Sequence, residues 1–173
     1  GSTLSDDKLK GEKYHYSVQY PPFGIKWEKD RAAVVKEHAL GYAGRFGAGL
    51  PRVSDGSMLF VMNAVDKMED PKNGGGRVGI VLSGSPLFTG DAGSGESEIR
   101  RWLLEQDLIE AIIALPTDMF FNTGIGTYVW ILSNKKDTAR KNKVQLVNLT
   151  NTWTQMRKSE GSKRRFISNE QIQ

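Results

Sequence analysis

Gly74-Gly75-Gly76-Arg77-Val78-Gly79-Ile80-Val81-Leu82-Ser83 is a continuous apolar run opened by three glycines. That pattern predicts a strand from Arg77 to Ser83 buried on both faces, as strands of parallel sheets are. Leu108 to Leu115, Thr127 to Ser133 and Lys143 to Asn148 read the same way, and Lys13 to Gln19 alternates more weakly. Helical spacing separates them. Ser57 to Met68 puts Phe60, Ala64 and Met68 on one stripe, with Leu59 and Met62 beside it and the oxygens of Asp55 or Ser57 placed to cap it. Ser97 to Gln106 repeats the pattern through Ile99, Trp102, Leu103 and Gln106, with Ser94 or Ser97 as cap. Strand alternating with helix is the grammar of an α/β fold, a mostly parallel sheet with helices on its faces. Between Leu115 and Thr127 there is no room for a crossover helix, so Thr127 to Ser133 is expected to pair antiparallel.

Composition narrows the class. A chain of 173 residues, 38% hydrophobic and 25% charged, is long enough to bury a core. It has no cysteine, which excludes disulfides and thiolate metal sites, and its two isolated histidines, His15 and His38, make no zinc centre. No apolar run approaches the roughly eighteen residues of a membrane span, so a soluble cytoplasmic protein is expected. Gly1-Ser2 reads as a scar of tag removal. The net charge is +4, and cations gather late: Lys135-Lys136, Arg140-Lys141, Lys143, Arg157-Lys158 and Lys163-Arg164-Arg165. Two readings stand for this region, a phosphate-facing surface and a solvated tail.

Tyr20-Pro21-Pro22-Phe23-Gly24 follows the first strand-like run. A Pro-Pro pair in a loop by itself marks a rigid turn, but this one resembles the tetrad of amino-methyltransferases. In those enzymes a polar residue, Pro, Pro and an aromatic receive an exocyclic amine and stack on a base taken out of the duplex. Tyr20 departs from that pattern. A phenol stands where the tetrad has Asn or Asp, replacing a compact acceptor with one oxygen on a rigid ring.

The likeness extends along the chain from Trp27 onward. Gly41-Tyr-Ala-Gly-Arg-Phe-Gly47, Ser54-Asp-Gly-Ser-Met-Leu-Phe60, Gly75-Gly-Arg-Val-Gly-Ile-Val-Leu82, Gly95-Glu-Ser-Glu-Ile-Arg100 and Leu115-Pro-Thr-Asp-Met-Phe-Phe-Asn-Thr-Gly-Ile125 resemble, in order and spacing, the modification subunit of type I restriction-modification systems. Those subunits are adenine-N6 DNA methyltransferases. The resemblance implies a partial Rossmann-like methyltransferase sheet with an antiparallel edge strand, S-adenosylmethionine as methyl donor, DNA as substrate, and specificity and restriction subunits as partners in a prokaryotic cytoplasm. It implies catalytic roles for Tyr20, Pro21, Pro22 and Phe23, and base stacking by Phe23 and Phe120, with the amine near the Pro21 carbonyl. Residues 3–150 correspond to the C-terminal half of the catalytic domain and 151–173 to a basic extension. The Gly-rich cofactor turn of the family precedes its tetrad, and no such turn lies among residues 1–19. No residue here is therefore expected to bind cofactor or metal, the chain alone is expected to be inactive, and the free edge of its first strand is expected to drive self-association. A non-catalytic scaffold and a simple DNA-binding module are the competing readings.

Three local readings remain to be placed. Gly90-Asp-Ala-Gly-Ser-Gly-Glu-Ser97 has the glycine spacing of a phosphate loop, but Glu96 stands where a lysine is needed, leaving a helix-capped connection or a mobile flap. Phe120 and Phe121 are adjacent in a loop, one placed for a cleft or both capping the sheet. Trp27 either lines a cleft or anchors the loop.

Overall fold

The computed structural model describes residues 1–173. Its elements are β1 (Tyr16–Gln19), α1 (Arg31–His38), α2 (Ser57–Asp66), β2 (Arg77–Ser83), α3 (Ser85–Phe88), α4 (Gly95–Glu105), β3 (Ile109–Ala114), β4 (Thr127–Ser133), β5 (Gln145–Asn148), β6 (Thr154–Glu160), β7 (Lys163–Phe166) and α5 (Asn169–Ile172). No helix is long and apolar enough to cross a membrane.

Five strands form one sheet in the order β1-β2-β4-β3-β5. β1 runs parallel to β2 and β3 parallel to β5, while β4 is antiparallel to both β2 and β3. Four strands therefore point one way and β4 alone returns. The antiparallel strand is present as expected, but its place is corrected: it lies inside the sheet, flanked on both sides, and the edges are β1 and β5. Its composition suits that place. Thr-Tyr-Val-Trp-Ile-Leu-Ser carries apolar residues on both faces, and Trp130 and Leu132 are fully buried.

One face of the sheet carries the core. Val78, Ile80 and Leu82 of β2 join Trp130 and Leu132 of β4, and α2 (Met58, Leu59, Met62) and α4 (Ile99, Leu103) pack over them. Burial of each such side chain contributes about 1.5–3 kcal/mol. The α4 stripe is narrower than its spacing suggests, because Trp102 packs only at the margin and Gln106 is exposed. Val81, Val129, Ile131 and Ile113, on the opposite face, lie outside this cluster and are half-buried.

The first dozen residues are clasped by two cations. The Arg45 guanidinium takes both carboxylate oxygens of Glu37 (2.8 and 2.7 Å) and also donates to the carbonyls of Thr3 (2.9 Å) and Leu4 (3.1 Å) and to Asn63 Oδ1 (2.9 Å). Lys67 Nζ holds Asp7 at 2.6 Å and the Leu9 carbonyl at 2.8 Å. Leu4 is thereby drawn into the core. The bond from Arg45 holds the Glu37 carboxyl below its ordinary value of 4.5 against the opposing effect of burial. For Asp7, burial pushes the carboxyl up, but the bonds from Lys67 and the Leu9 backbone outweigh it and hold it below 3.8.

Both carboxyls are depressed in the folded chain, so their contribution is complete above their unfolded values and disappears as pH falls through the folded ones. Thermal midpoints measured from pH 7 downward should begin to fall near pH 4.5 and drop further below 3.8. Glu37→Gln should lower the midpoint at pH 7 and flatten the first part of that decline.

β1 leaves an open edge. Tyr14 exchanges main-chain bonds with Lys67 and Glu69 on one side, and His15 accepts from Arg77 of β2 on the other. Alternation along the strand turns the N–H and C=O of Tyr16 and Val18 away from β2, and their side chains are 81% and 91% exposed. The chain should self-associate through this edge at high micromolar concentration. Val18→Pro removes an outward N–H without touching the β2 ladder, and sedimentation velocity should show it shifted toward monomer; a wild-type chain that is monomeric throughout would exclude the edge contact.

Candidate functional site

β1, β2 and β3 share a direction, so the loops leaving their carboxyl ends emerge on one edge of the sheet, where open α/β sheets bind their ligands. The tetrad leaves β1 there, and residues 115–126 connect β3 to β4 over the same edge. Two segments a hundred residues apart thus meet. The Tyr20 ring is 5.3 Å from Phe23, edge to face, and 5.0 Å from Phe120. Its phenol donates to Asn122 Oδ1 at 3.0 Å. Burial pushes that phenol above 10.0, with the bond to Asn122 opposing only in part, so it stays protonated and keeps donating at neutral pH.

The structure therefore brings Tyr20, Phe23 and Phe120 together. Pro21 is buried and Pro22 exposed, while Phe23 and Phe120 are half-buried. In place of an open slot between two phenylalanines, the Tyr20 ring contacts both. Phe121 points outward and is 69% exposed, so the pair does not cap the sheet together. Asn122 was quoted above only as part of its loop. Nothing in sequence spacing connects it with Tyr20, because the contact exists only once β3 and β4 have paired.

The segment after the tetrad is fixed from beneath. Gly56 N–H donates to the Ile25 carbonyl (2.9 Å), Trp27 N–H to Val53 (3.1 Å), and the Trp27 indole N–H to Arg52 (2.9 Å). Trp27 is 2% exposed, which makes it the anchor of the loop and not a cleft wall. Asp55 ties the same region to the starts of α2 and α3. Its carboxylate accepts from Ser57 N–H (3.0 Å), Ser57 Oγ (2.6 Å) and Ser85 Oγ (2.7 Å). Burial alone would raise its pKa, but these bonds and the nearby Arg52 hold it below 3.8.

Within residues 90–97, the Gly95–Glu96 end is filled by the chain itself. Glu96 is buried and accepts from the Arg52 N–H at 2.9 Å, and a Cβ on Gly95 would lie 1.6 Å from the Leu50 carbonyl oxygen, so the two backbones touch there. Ser94 caps α4 by accepting from Ser97 N–H. Arg100 bonds the Thr89 carbonyl at 2.6 Å. The capped connection is the reading the structure supports.

The basic C-terminal region is no loose tail, for residues 154–166 form the β6–β7 hairpin. It docks on the Phe120 loop: Ser162 N–H donates to the Phe121 carbonyl (2.8 Å), and the N–H groups of Arg164 and Arg165 to the Asp118 carbonyl (2.9 and 3.1 Å). Arg165 also reaches Thr117 Oγ1 (3.0 Å) and stacks 4.0 Å over Trp153. The turn demands Gly161, at φ 59°, where a Cβ would fall 2.6 Å from the Phe121 carbonyl oxygen.

An open sheet with a tetrad and an aromatic loop at its carboxyl edge is the arrangement of a base-modifying α/β enzyme. The N-6 DNA Methylase family model matches residues 1–173, and the chain belongs to that family. It is 25% identical over 152 residues to the type I restriction enzyme MjaIX methylase subunit of Methanocaldococcus jannaschii, covering 87% of this chain and 26% of that subunit. With the MjaVII methylase subunit of the same organism it shares 43% identity over 72 residues, 42% of this chain and 12% of that subunit. Among solved structures, it superimposes on the type I restriction-modification methyltransferase subunit of Streptococcus thermophilus with a TM-score of 0.76 at 24% identity, over 99% of this chain and 33% of that one. The EcoKI M protein gives a TM-score of 0.63 at 23% identity, over 100% and 32%. These two likenesses concern the fold. The chain spans about a quarter of the length of the first of these relatives and a third of that of the solved structures.

Gly161→Val should release the loop from the hairpin. Left-handed backbone and the clash with Phe121 together cost about 1–3 kcal/mol, read as a lower urea midpoint with a changed near-ultraviolet tyrosine signal. Gly93→Val is the control, because Gly93 is also left-handed (φ 83°) but has nothing within 4 Å. Equal losses in both variants would show that docking on Phe121 contributes nothing.

Proposed function

We propose that this chain forms the base-binding side of an adenine-N6 DNA methyltransferase, in the modification subunit of a type I restriction-modification system. The observation that carries the reading is the convergence of Tyr20-Pro21-Pro22-Phe23 with Phe120 and Asn122 at the carboxyl edge of the sheet. Membership of the N-6 DNA methylase family and relatives named as type I methylase subunits support it. Phe23 and Phe120 would stack on the extruded adenine, and the Pro21 carbonyl would accept from its exocyclic amine, turning the nitrogen lone pair toward the methyl donor. DNA is the substrate in this reading, specificity and restriction subunits are the partners, and the bacterial or archaeal cytoplasm is the setting.

S-adenosylmethionine supplies the methyl group in this chemistry. In the glycine-spaced turn at residues 90–97, the Gly95–Glu96 end is occupied by the Arg52 N–H and by Leu50. This chain's part is to receive and orient the base.

Tyr20 limits that part. Its ring occupies the approach to both phenylalanines, and its hydroxyl proton is committed to Asn122. In a full-length subunit carrying these residues, Tyr20→Asn should raise adenine methylation by about a hundredfold or more, since one well-placed polar contact in such a site has that worth. Methylation of equal rate with Tyr20 and with Asn would overturn the assignment. The scaffold reading draws on the same observation, the filled slot; Tyr20→Asn that leaves methylation absent while the subunits still assemble would favour it.

A further inference from the structure

We propose that the β6–β7 hairpin is a docking surface for the phosphate backbone of duplex DNA, placed beside the aromatic pocket by the loop that carries Phe120. The proposal rests on the reading of that pocket as a base site for the identity of the polyanion. Within residues 154–166 stand Arg157, Lys158, Lys163, Arg164 and Arg165 against Glu160 alone. That surplus of four equals the net charge of the entire chain, +4. None of the five forms an ion pair, whereas ten of the other nineteen lysines and arginines do. Among the other late cations, Lys136 is paired with Asp107 at 2.5 Å and Arg140 lies 3.5 Å from Glu110.

The hairpin divides its charges between two jobs. Arg165 is spent on structure, stacked on Trp153 and bonded to Thr117. Arg157, Lys158 and Arg164 are exposed. Their side chains have no hydrogen-bond partner in the chain, and Arg164 is held in place through its backbone N–H to Asp118. Unpaired cations on a braced hairpin meet a duplex, with one charge per about 1.7 Å of axis, more favourably than they meet a dispersed anion. An acidic protein surface could match the sign of the charge. The duplex is favoured because the same loop carries Phe120 two residues from Asp118, so a strand lying on the hairpin passes next to aromatic rings able to take a base.

Fluorescence anisotropy with a labelled DNA duplex, titrated with this chain at several salt concentrations and without methyl donor, tests the surface. Arg157→Gln, Lys158→Gln and Arg164→Gln are combined in one variant. The control combines Lys29→Gln, Lys36→Gln and Lys72→Gln, three exposed lysines elsewhere, with the same loss of charge. The hairpin variant should bind about tenfold or more weakly at 0.1 M salt, and its slope of log affinity against log salt should be shallower by about 2–3. The control should stay within about twofold of wild type, as expected for charges that touch no phosphate. Equal weakening in both variants, or a wild-type chain that does not bind the duplex, overturns the proposal. Displacement of the duplex by polyglutamate at matched charge overturns the assignment to nucleic acid. Should the triple variant fail to fold, Arg157→Glu alone is held to the same expectation. Hairpin-dependent binding alongside a failed methylation test would leave this surface standing and remove only the reading of the pocket.

Discussion

The direction of β4 is the constraint on which the site depends. β4 runs against its neighbours and fits between β2 and β3, which keeps β1, β2 and β3 pointing the same way. The connection from β3 to β4 must then turn back at the carboxyl edge, where β1 releases its tetrad. Burial of Trp130 and Leu132 against the core holds β4 in that interior position.

Around that edge the chain uses buried polar groups as fasteners. Asp55 links the start of α3 to the start of α2 through Ser85 and Ser57, Glu96 accepts from the Arg52 backbone at the neighbouring turn, and Arg45 with Lys67 draws the first residues onto the body. The carboxyls of Asp55, Glu37 and Asp7 each have enough donors to offset their desolvation, which is why they are held below their ordinary values. Losing any one of the donors to Asp55, Glu37 or Asp7 leaves a carboxylate with too few partners.

Tyr20 shows how a local departure acts at a distance. A phenol at the head of the tetrad changes more than the acceptor there, because its ring spans Phe23 and Phe120 and its hydroxyl reaches Asn122 in the facing loop. The hairpin bears on the same loop from the other side, through Asp118 and Phe121. The loop of residues 115–126 is therefore held between a plug and a brace.

Much of the scaffold was legible from sequence because it rests on local patterning. The run Arg77–Ser83 and the run Thr127–Ser133 coincide with β2 and β4 residue for residue, and Ser94 caps α4, since apolar periodicity and a cap oxygen act over a few residues. The Pro-Pro tetrad likewise follows β1 directly, as the run before it indicates. Contacts between distant polar residues left no such trace. The β6–β7 hairpin is polar on both faces, so hydrophobic alternation is silent there, and Gly161 is needed only because Phe121 lies against it. The interior place of β4, the Tyr20–Asn122 bond and the burial of Trp27 were decided by tertiary structure, because each depends on which surfaces meet after the sheet has closed its order.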